Sequence, residues 1–94
     1  MIKKYRISQQ AIEDLENIWI YTLKKWSKEQ ADRYYRVIID EIEFISKNQG
    51  IGKTFKSYRY SPIKSHLIYY REINDGQIEI VRILHQRMEI KHHL

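Results

Sequence analysis

The hydrophobic pattern of the first 50 residues predicts one strand followed by two helices. Apolar and basic residues alternate over residues 2–7, which is the two-residue period of a strand. Apolar residues then recur at the helical period over residues 9–25, and Ser8 stands where an N-cap is expected. A second helical pattern begins with a capping box at Ser27 and continues to about Lys47. The two helices are therefore expected to form an antiparallel hairpin.

The middle of the chain is less regular. Gly50 follows the second helix, and a glycine there is expected to take the left-handed conformation that ends a helix. Residues 51–64 show no sustained period, although residues 58–61 have the composition of a short strand. Pro62 has no N–H to donate and is expected to end that strand.

The last third of the chain has the clearest strand pattern. Residues 66–73 form one predicted strand, and residues 74–76 form a turn in which Gly76 is free to take a positive φ. The return strand, residues 77–85, is apolar on both faces and is expected to be central. The predicted class is α+β in the order β-α-α-β-β-β, with a helical hairpin on one face of a small, largely antiparallel sheet. Residues 1–94 are expected to form a single domain.

Several apolar residues lie off the main stripes of the two helices. At about 100° per residue, Ile20 and Tyr21 lie outside the core-facing side of the first helix. Val37 and Phe44 lie together on the second helix, away from its core-facing side. Such residues are either partly buried against a neighbouring loop or form a surface for a partner's helix.

Composition narrows the classes of protein to which the chain can belong. Of 94 residues, 43% are hydrophobic and 31% charged, which is typical of a globular domain. There is no cysteine, which excludes disulfides and thiolate chemistry. No apolar segment approaches the ~20 residues that span a bilayer, and no signal peptide is recognisable, so a cytoplasmic protein without membrane contact is expected.

The formal net charge of +5 is unevenly distributed. Residues 1–50 carry nine Lys and Arg against eight Asp and Glu, whereas residues 51–94 carry eight against four. Five basic residues and no acid fall within residues 53–71. This segment favours an anionic partner such as nucleic acid or an acidic protein, or else it is a solvated basic surface without a specific partner.

Few residue patterns point to a catalytic or metal site. There is no Gly-x-Ser-x-Gly motif, and the four histidines do not have the spacing of metal ligands, so no metal and no cofactor are expected. Gly50-Ile51-Gly52 resembles the start of a phosphate-binding loop, but no third glycine and no helix follow it.

Two arginines and a histidine of the last hairpin remain as candidates for chemistry. If Arg71 and Arg82 meet across the hairpin, they form a positive site of the size of a phosphate. His85 beside that site would supply a general acid or base for RNA cleavage without a metal. Strict alternation places Arg82 on the face of Ile80.

The same residues also have a purely structural interpretation. Arg82 would then form a salt bridge with Glu72 or Glu79 of the same hairpin. His85 would be a partly buried hydrogen-bonding residue at the end of the sheet. The sequence leaves both interpretations open.

Taken together, these segments resemble the ParE-type toxins of the ParE/RelE superfamily over nearly the whole chain. The most specific segment is Ile-Val-Arg-Ile-Leu-His-Gln-Arg-Met-Glu at residues 80–89. The other matching positions, in order, are residues 5–11, 14–15, 18, 21, 26–31, 34–35, 50–53 and 66–71. The sequence departs from the family at Gln49, where a proline is frequent. It departs from the RelE-type nucleases in having no tyrosine after Ile73.

The resemblance implies a toxin of a type II toxin–antitoxin, or plasmid stabilisation, system. It implies the predicted fold and an acidic, partly disordered ParD-like antitoxin, through which alone the complex would bind operator DNA. ParE relatives poison DNA gyrase without catalysis, so a gyrase inhibitor is expected. RelE relatives cleave mRNA in the ribosome, so the alternatives are a metal-independent endoribonuclease or an antitoxin-binding module that is no longer toxic.

Two sets of residues are assigned to these partners. The expected target contacts, of which the first three would serve catalysis in a nuclease, are Arg71, Arg82, His85, Arg87 and Met88. The expected antitoxin contacts are Tyr21, Val37, Phe44, Lys53, Lys56 and Arg59.

Overall fold

The computed structural model describes residues 5–74 and 76–88. The elements are β1 Tyr5–Ile7, α1 Gln9–Lys25, α2 Lys28–Lys47, a 3-10 turn Gln49–Ile51, β2 Lys53–Phe55, β3 Tyr58–Ile63, β4 His66–Asn74 and β5 Gln77–His85. The strands form one sheet in the order β1-β5-β4-β3-β2, in which only the β1–β5 pair is parallel. Within these residues, neither helix is long and apolar enough to cross a membrane.

The α+β class and the largely antiparallel sheet agree with the prediction, and the structure adds one strand. Lys53–Phe55 pair with β3 in a short hairpin that is too polar to be recognised by alternation. β3 is also longer than predicted, because it passes through Pro62 to Ile63. The pairing of β2 with β3 ends at Tyr60, so Pro62 lies on an open edge where no N–H is required.

Side-chain caps determine where both helices begin, as the sequence predicts. Ser8 Oγ accepts a hydrogen bond from the Ala11 N–H at 3.1 Å, and Ser27 Oγ accepts one from the Gln30 N–H at 3.1 Å. Ser8 Oγ also donates to the Val81 carbonyl at 2.8 Å, which fixes the start of α1 beside β5.

The end of α2 differs from the prediction. Gly50 does not have a positive φ; it lies within the 3-10 turn, and the helix ends at Asn48 with φ −138°. The side chain of Asn48 donates to the Phe44 carbonyl at 3.0 Å, which satisfies one carbonyl of the last turn without a left-handed residue. The glycine that needs a positive φ is Gly76, at 71°, as predicted, while its neighbour Asp75 lies outside the described residues.

The hydrophobic core lies between the helical hairpin and one face of the sheet. Its buried residues are Ala11, Leu15, Ile38, Ile42, Ile45, Ile68, Tyr70, Ile78, Ile80 and Ile83. The sheet covers a narrower strip of each helix than the apolar stripe in the sequence. As a result Ile12 and Tyr35 remain 37% and 41% exposed, and Trp26, at the tip of the hairpin, is 68% exposed.

A bulge in β5 changes which residues share a face. Tyr69 is aligned with Arg82 and Tyr70 with Ile80, so Val81 is the extra residue. Ile80 and Ile83 are therefore both in the core, and Arg82 does not share the face of Ile80. Strict alternation predicted the wrong face for Arg82, because a bulge shifts the two-residue period by one.

Candidate functional site

Arg82 joins β5 to α1 instead of lining an open site. Its Nε and Nη2 donate to the two carboxylate oxygens of Asp14 at 2.8 and 2.9 Å, and its side chain is 16% exposed. The Asp14 carboxylate also accepts from the Ile83 N–H at 3.0 Å. The hydrogen bonds to Asp14, opposed by burial, raise the pKa of the Arg82 guanidinium above its ordinary value. A bidentate pair of this kind fixes one element against another.

Arg71 belongs to a separate, more exposed group of charges. It donates through Nε and Nη2 to one carboxylate oxygen of Glu79 at 3.1 and 2.9 Å. Arg6 of β1 approaches the other oxygen at 3.2 Å, so two guanidinium groups share one carboxylate. The side chains of Arg71 and Arg6 are 50% and 61% exposed, so this row of charges faces solvent.

The phosphate-sized site predicted from Arg71 and Arg82 does not form. Arg71 is aligned with Glu79 and Arg82 with Tyr69, and each arginine binds a different carboxylate. His85 lies on the helix-covered face, whereas Arg71 lies on the opposite face of the sheet. Arg82 does form a salt bridge, as its structural interpretation predicts. Its partner, however, is Asp14 and not Glu72 or Glu79.

His85 is partly buried beside a second histidine. Its Nδ1 accepts from the Arg87 N–H at 3.1 Å, so the neutral ring carries its proton on Nε2. The ring packs edge-on against His66 of β4 at 5.3 Å between centroids. The partly buried, hydrogen-bonded role of His85 is thus confirmed, and its neighbour His66 is a residue that sequence reasoning missed.

His66 is held neutral at the same end of the sheet. Its Nδ1 lies 2.7 Å from the hydroxyl of Tyr34 on α2, and that hydroxyl accepts from the Ser65 N–H at 3.3 Å. Burial first, and the nearby His85 second, lower the pKa of His66 from 6.5 to about 4, while Asp14 acts in the opposite direction. The imidazole is therefore uncharged at neutral pH, and its Nδ1 shares a hydrogen bond with the Tyr34 hydroxyl.

Arg87 and Met88 follow β5 in a tight turn, and both are exposed. The Met88 N–H donates to the His85 carbonyl at 2.9 Å, and the side chain of Met88 is 48% exposed. Within the described residues, the expected target contacts thus divide into two classes. Arg71, Arg87 and Met88 face solvent, whereas Arg82 and His85 have partners inside the protein.

A loop between α2 and β2 is organised around the hydroxyl of Tyr70. It donates to the Gln49 carbonyl at 2.9 Å and accepts from the Gly52 N–H at 3.1 Å. Arg59 closes the same loop, because its Nη1 donates to the Gly52 carbonyl at 2.9 Å and more distantly to that of Gly50. Arg59, which was assigned to antitoxin binding, therefore has a structural role in holding this loop.

The other expected antitoxin contacts do not form a single surface. Tyr21 and Phe44 are 62% and 51% exposed and Val37 is half-buried. Tyr21 projects from α1, whereas Val37 and Phe44 lie on one side of α2. A hydrogen bond of 2.8 Å between Glu41 and Ser61 joins α2 to β3. Tyr21 and Phe44 project from the outer sides of the two helices, away from the space between them, so a single antitoxin helix would not cover all three side chains.

An open groove separates these two surfaces, and sequence reasoning missed it. It runs between α1, α2 and β1, and its apolar lining includes Ile12, Ile20, Tyr35 and Ile39. By the 3.6-residue period, Tyr21 lies about 180° around α1 from Ile12, and Phe44 lies about 180° around α2 from Tyr35. The apolar stripes of the two helices are wider than the core requires. This excess of apolar residues was the sequence signal for the groove.

Comparison with known proteins gives one consistent result. Residues 5–90 match the family described as "ParE toxin of type II toxin-antitoxin system, parDE". The chain is 37% identical over 97 residues to "Toxin ParE1" of Caulobacter vibrioides, covering 99% of each chain. It is 35% identical over 98 residues to "Toxin ParE1" of Mycobacterium tuberculosis, covering 100% of both. A solved structure titled "Chromosomal ParDE TA system from P. aeruginosa" has a TM-score of 0.75 and covers 87% of this chain and 94% of that one. At 19% identity this last likeness concerns the fold alone.

Proposed function

Because this chain belongs to the family of ParE toxins of type II toxin–antitoxin systems, we propose that it stops growth by binding DNA gyrase. A ParD-like antitoxin would neutralise it in the cytoplasm, and the complex would contact operator DNA only through that antitoxin. The proposal rests on the family match over residues 5–90, which contains the most specific segment, residues 80–89.

The proposed gyrase contact is the exposed end of β5 and the row of charges beside it. Arg87 and Met88 would contact the target directly, with Arg71 at the rim. Arg82 and His85 would support this end from inside, since Arg82 holds β5 to α1 and His85 accepts the Arg87 N–H. An exposed methionine beside an arginine is a composition enriched in protein interfaces.

Binding is favoured over catalysis by the separation of the candidate catalytic groups. An endoribonuclease would need Arg71, Arg82 and His85 to converge on one phosphate. Arg82 is neutralised by Asp14, and His85 lies on the other face of the sheet from Arg71. These three residues therefore do not support the nuclease alternative, and no other described group takes their place in this proposal.

A gyrase supercoiling and DNA-cleavage assay tests this function. The purified toxin is expected to inhibit supercoiling and trap cleaved DNA, and added antitoxin should relieve both effects. Arg87→Ala/Met88→Ala should weaken inhibition by at least about tenfold with an unchanged thermal midpoint, since both side chains are exposed. Lys47→Ala/Ile51→Ala, two exposed residues beside the α2–β2 loop at the other end of the sheet, serves as the matched control. Full inhibition by the Arg87/Met88 variant would exclude this contact, and no inhibition by folded wild-type toxin would exclude gyrase as the target.

The proposed antitoxin contacts include two surfaces on different sides of the hairpin. Val37 and Phe44 on α2 would receive apolar side chains, and the exposed Lys53 and Lys56 would pair with antitoxin acids. Tyr21 on α1 would be covered by a separate part of the antitoxin, which requires an antitoxin that wraps the toxin. Replacing Phe44 by Ala should weaken antitoxin binding by about tenfold or more, as measured by calorimetry. An unchanged affinity would remove Phe44 from the interface.

A further inference from the structure

We propose that the tip of the helical hairpin, residues 21–28, binds single-stranded DNA. The Trp26 indole would stack on a base, with Lys24 and Lys25 beside the phosphates. This contact rests on the proposed function and deepens it, because it adds DNA as a second partner of the end of the toxin that would bind gyrase. It concerns unpaired DNA and not the duplex operator, which the complex would reach through the antitoxin.

The side chain of Trp26 is presented to solvent on a fixed backbone. It is 68% exposed, the largest exposed fraction of any large hydrophobic side chain among the described residues. The Trp26 N–H donates to the Thr22 carbonyl at 2.9 Å at the end of α1, and the next residue, Ser27, caps α2. An aromatic side chain held between two helix ends loses little backbone freedom on binding, so its apolar surface is available to a partner.

Two exposed lysines lie next to this indole in the last turn of α1. Lys25 Nζ lies 3.2 Å from the hydroxyl of Tyr21 and 5.5 Å from the centroid of its ring, and Tyr21 is itself 62% exposed. Within residues 5–74 and 76–88, no carboxylate pairs with Lys24 or Lys25. Both ammonium groups can therefore bind an external anion beside an aromatic surface.

The remaining charges of the tip do not cancel these two lysines. Lys28 is already paired with Asp32 at 2.8 Å. Glu29 is the only acid among residues 21–30. Across residues 21–32, three lysines thus stand against two acids, so the surface around the indole is positive and complements an anionic partner.

The composition of the tip favours nucleic acid over other anionic partners. Lysine is depleted in protein–protein interfaces, whereas aromatic side chains in a positive surface are the usual means of binding single-stranded nucleic acid. Stable attachment to a lipid surface needs an amphipathic helix or a second anchor, which is more apolar area than one indole supplies. Bases within a duplex are stacked on one another, so the indole can cover the face of a base only in unpaired DNA.

The tip lies at the same end of the molecule as the proposed gyrase contact. Tyr34, seven residues after the N-cap of α2 or ~10 Å along the helix, accepts from the Ser65 N–H, and the Ser65 carbonyl accepts from the Gln86 N–H at 2.9 Å. Because later residues of α2 cover the sheet, its first turns extend beyond the end of β5. A toxin bound to gyrase through that end would carry the tip to an enzyme that holds cleaved DNA.

Tryptophan fluorescence provides a test at Trp26 itself. The other tryptophan, Trp19, donates to Asp32 at 2.9 Å and is removed in Trp19→Phe, which leaves Trp26 as the sole reporter. An oligothymidylate of about 15 nucleotides should quench this emission by more than about half, because a stacked base contacts the indole directly. The mirror variant Trp26→Phe, which reports through Trp19, should show little change. Equal quenching in the two variants, or none in Trp19→Phe, would overturn the inference.

Affinities measured by anisotropy of the labelled oligothymidylate separate stacking from charge. Trp26→Ala should weaken binding about tenfold, whereas Trp26→Phe, which keeps an aromatic face, should stay within about threefold of the wild type. Lys24→Gln/Lys25→Gln should reduce the slope of log affinity against log salt concentration by about 1.4, or about 0.7 for each phosphate contact.

The matched control is Lys47→Gln/Ile51→Ala, an exposed lysine and an exposed apolar residue beyond the other end of α2, which should change neither quantity. Circular dichroism and thermal melts establish that each variant is folded. Wild-type affinity in Trp26→Ala, or a full salt slope in the lysine variant, would contradict the proposed contact.

Three further ligands distinguish unpaired DNA from other partners. A DNA duplex of the same length should bind at least about fivefold more weakly than the single strand and should not quench Trp26. Phosphatidylglycerol vesicles and a polyglutamate peptide should leave the Trp26 emission unchanged. A blue shift with vesicles would assign the tip to a membrane, and polyglutamate binding that Trp26→Ala abolishes would assign it to an acidic protein. Either result would sink the assignment to DNA.

The outcome is separable from that of the proposed function. If the tip binds single-stranded DNA as expected but the toxin leaves gyrase untouched, the target assignment fails and the DNA contact remains. If the toxin inhibits gyrase but neither quenching nor binding of the oligothymidylate is observed, the DNA contact fails alone.

Discussion

Gly52 lies directly against the side chain of Tyr70, which makes it the glycine with the least space. A Cβ at this position would lie 2.1 Å from the tyrosine hydroxyl oxygen, whereas a Cβ at Gly50 would meet nothing within 4 Å. The requirement at Gly52 is thus one of space, since its backbone φ is ordinary. The sequence shows two glycines two residues apart, and only the structure shows which of them is constrained.

Replacing Gly52 by alanine should lower the free energy of unfolding by ~2 kcal/mol. The new methyl group displaces the Tyr70 hydroxyl, which breaks its hydrogen bonds to the loop and forces the ring to move. Urea denaturation measures this change. Gly50→Ala, the matched control, should stay within ~0.5 kcal/mol of the wild type. Equal effects at the two glycines would show that Tyr70 does not restrict this loop.

His66 should make the stability depend on pH. The folded protein holds the pKa of His66 at about 4, below the ordinary value of 6.5, so the unfolded chain takes up the proton first as the pH falls. The stability from the neutral imidazole is fully present above pH 6.5 and is lost as the pH falls towards 4. The charged groups near His66 are His85, which opposes its protonation, and Asp14, which favours it.

Comparison with His66→Asn isolates this effect, because the asparagine amide does not titrate and can replace Nδ1 as the hydrogen-bonding partner of Tyr34. Between pH 7 and pH 5 the wild type should lose ~1 kcal/mol more than the variant, after allowance for the partial exposure of the ring. Urea titrations at both pH values measure the difference. Parallel losses in the two proteins would show that His66 does not titrate in this range.

At the scale of elements, one ion pair reinforces the contact between α1 and β5. Asp14 lies next to Leu15 on the buried side of α1, where an acid needs a partner, and Arg82 reaches it because the bulge at Val81 turns β5. The pair is 68 residues apart in the chain. An acid next to a buried leucine is a signal that sequence reasoning could have used, although it would not have identified the arginine.

Removing either partner of this pair should destabilise the fold by ~3 kcal/mol, because the remaining charge is left in a largely desolvated position. Asp14→Ala, Arg82→Ala and the double variant form a thermodynamic cycle measured by urea denaturation. The double variant should lose less than the sum of the single ones, with a coupling of at least ~1 kcal/mol. Arg71→Ala, which breaks a more exposed pair, is the control and should cost under ~1 kcal/mol. Additive effects at Asp14 and Arg82 would contradict the pairing.

At the scale of the whole molecule, charge is divided between two sides of the fold. Lys53 and Lys56 lie at the β2 edge of the sheet, whereas the carboxylates of Glu16, Asp40 and Glu43 surround the groove beside β1. The strand order β1-β5-β4-β3-β2 places β1 and β2 at opposite edges. An antitoxin that covers both sides would therefore need segments of opposite charge.

Reversing Lys53 and Lys56 to Glu should slow association with the antitoxin by about tenfold at low salt, because these exposed cations attract its acids before contact. Stopped-flow fluorescence at about 0.05 and 0.5 M salt measures the rates, and the difference should nearly vanish at high salt. Lys24→Glu/Lys64→Glu changes the net charge equally at two exposed positions outside β2 and should have a smaller effect. Unchanged rates would exclude this basic edge from the encounter.

Local patterns in the sequence determined the elements and the class of this fold. Ser8 and Ser27 fix the helix starts because a cap needs only the first turn that it serves, and Gly76 fixes the last hairpin turn for a similarly local reason. The ordered segments also resembled one family strongly enough to identify it before any contact was known. The resemblance also led to the prediction that the end of β5 contacts the target, but it did not predict the contacts that Arg82 and His85 make within the fold.

Tertiary structure alone decided which side chains are free to act. The bulge at Val81 moved Arg82 from an expected phosphate site to Asp14, and this depends on a register that no single strand determines. The groove exists because the sheet covers only part of each helix's apolar stripe, and the charges of Glu16, Asp40 and Glu43 meet there because two helices lie side by side. Contacts between residues distant in the chain depend on how the elements pack, so periodicity within one element cannot reveal them.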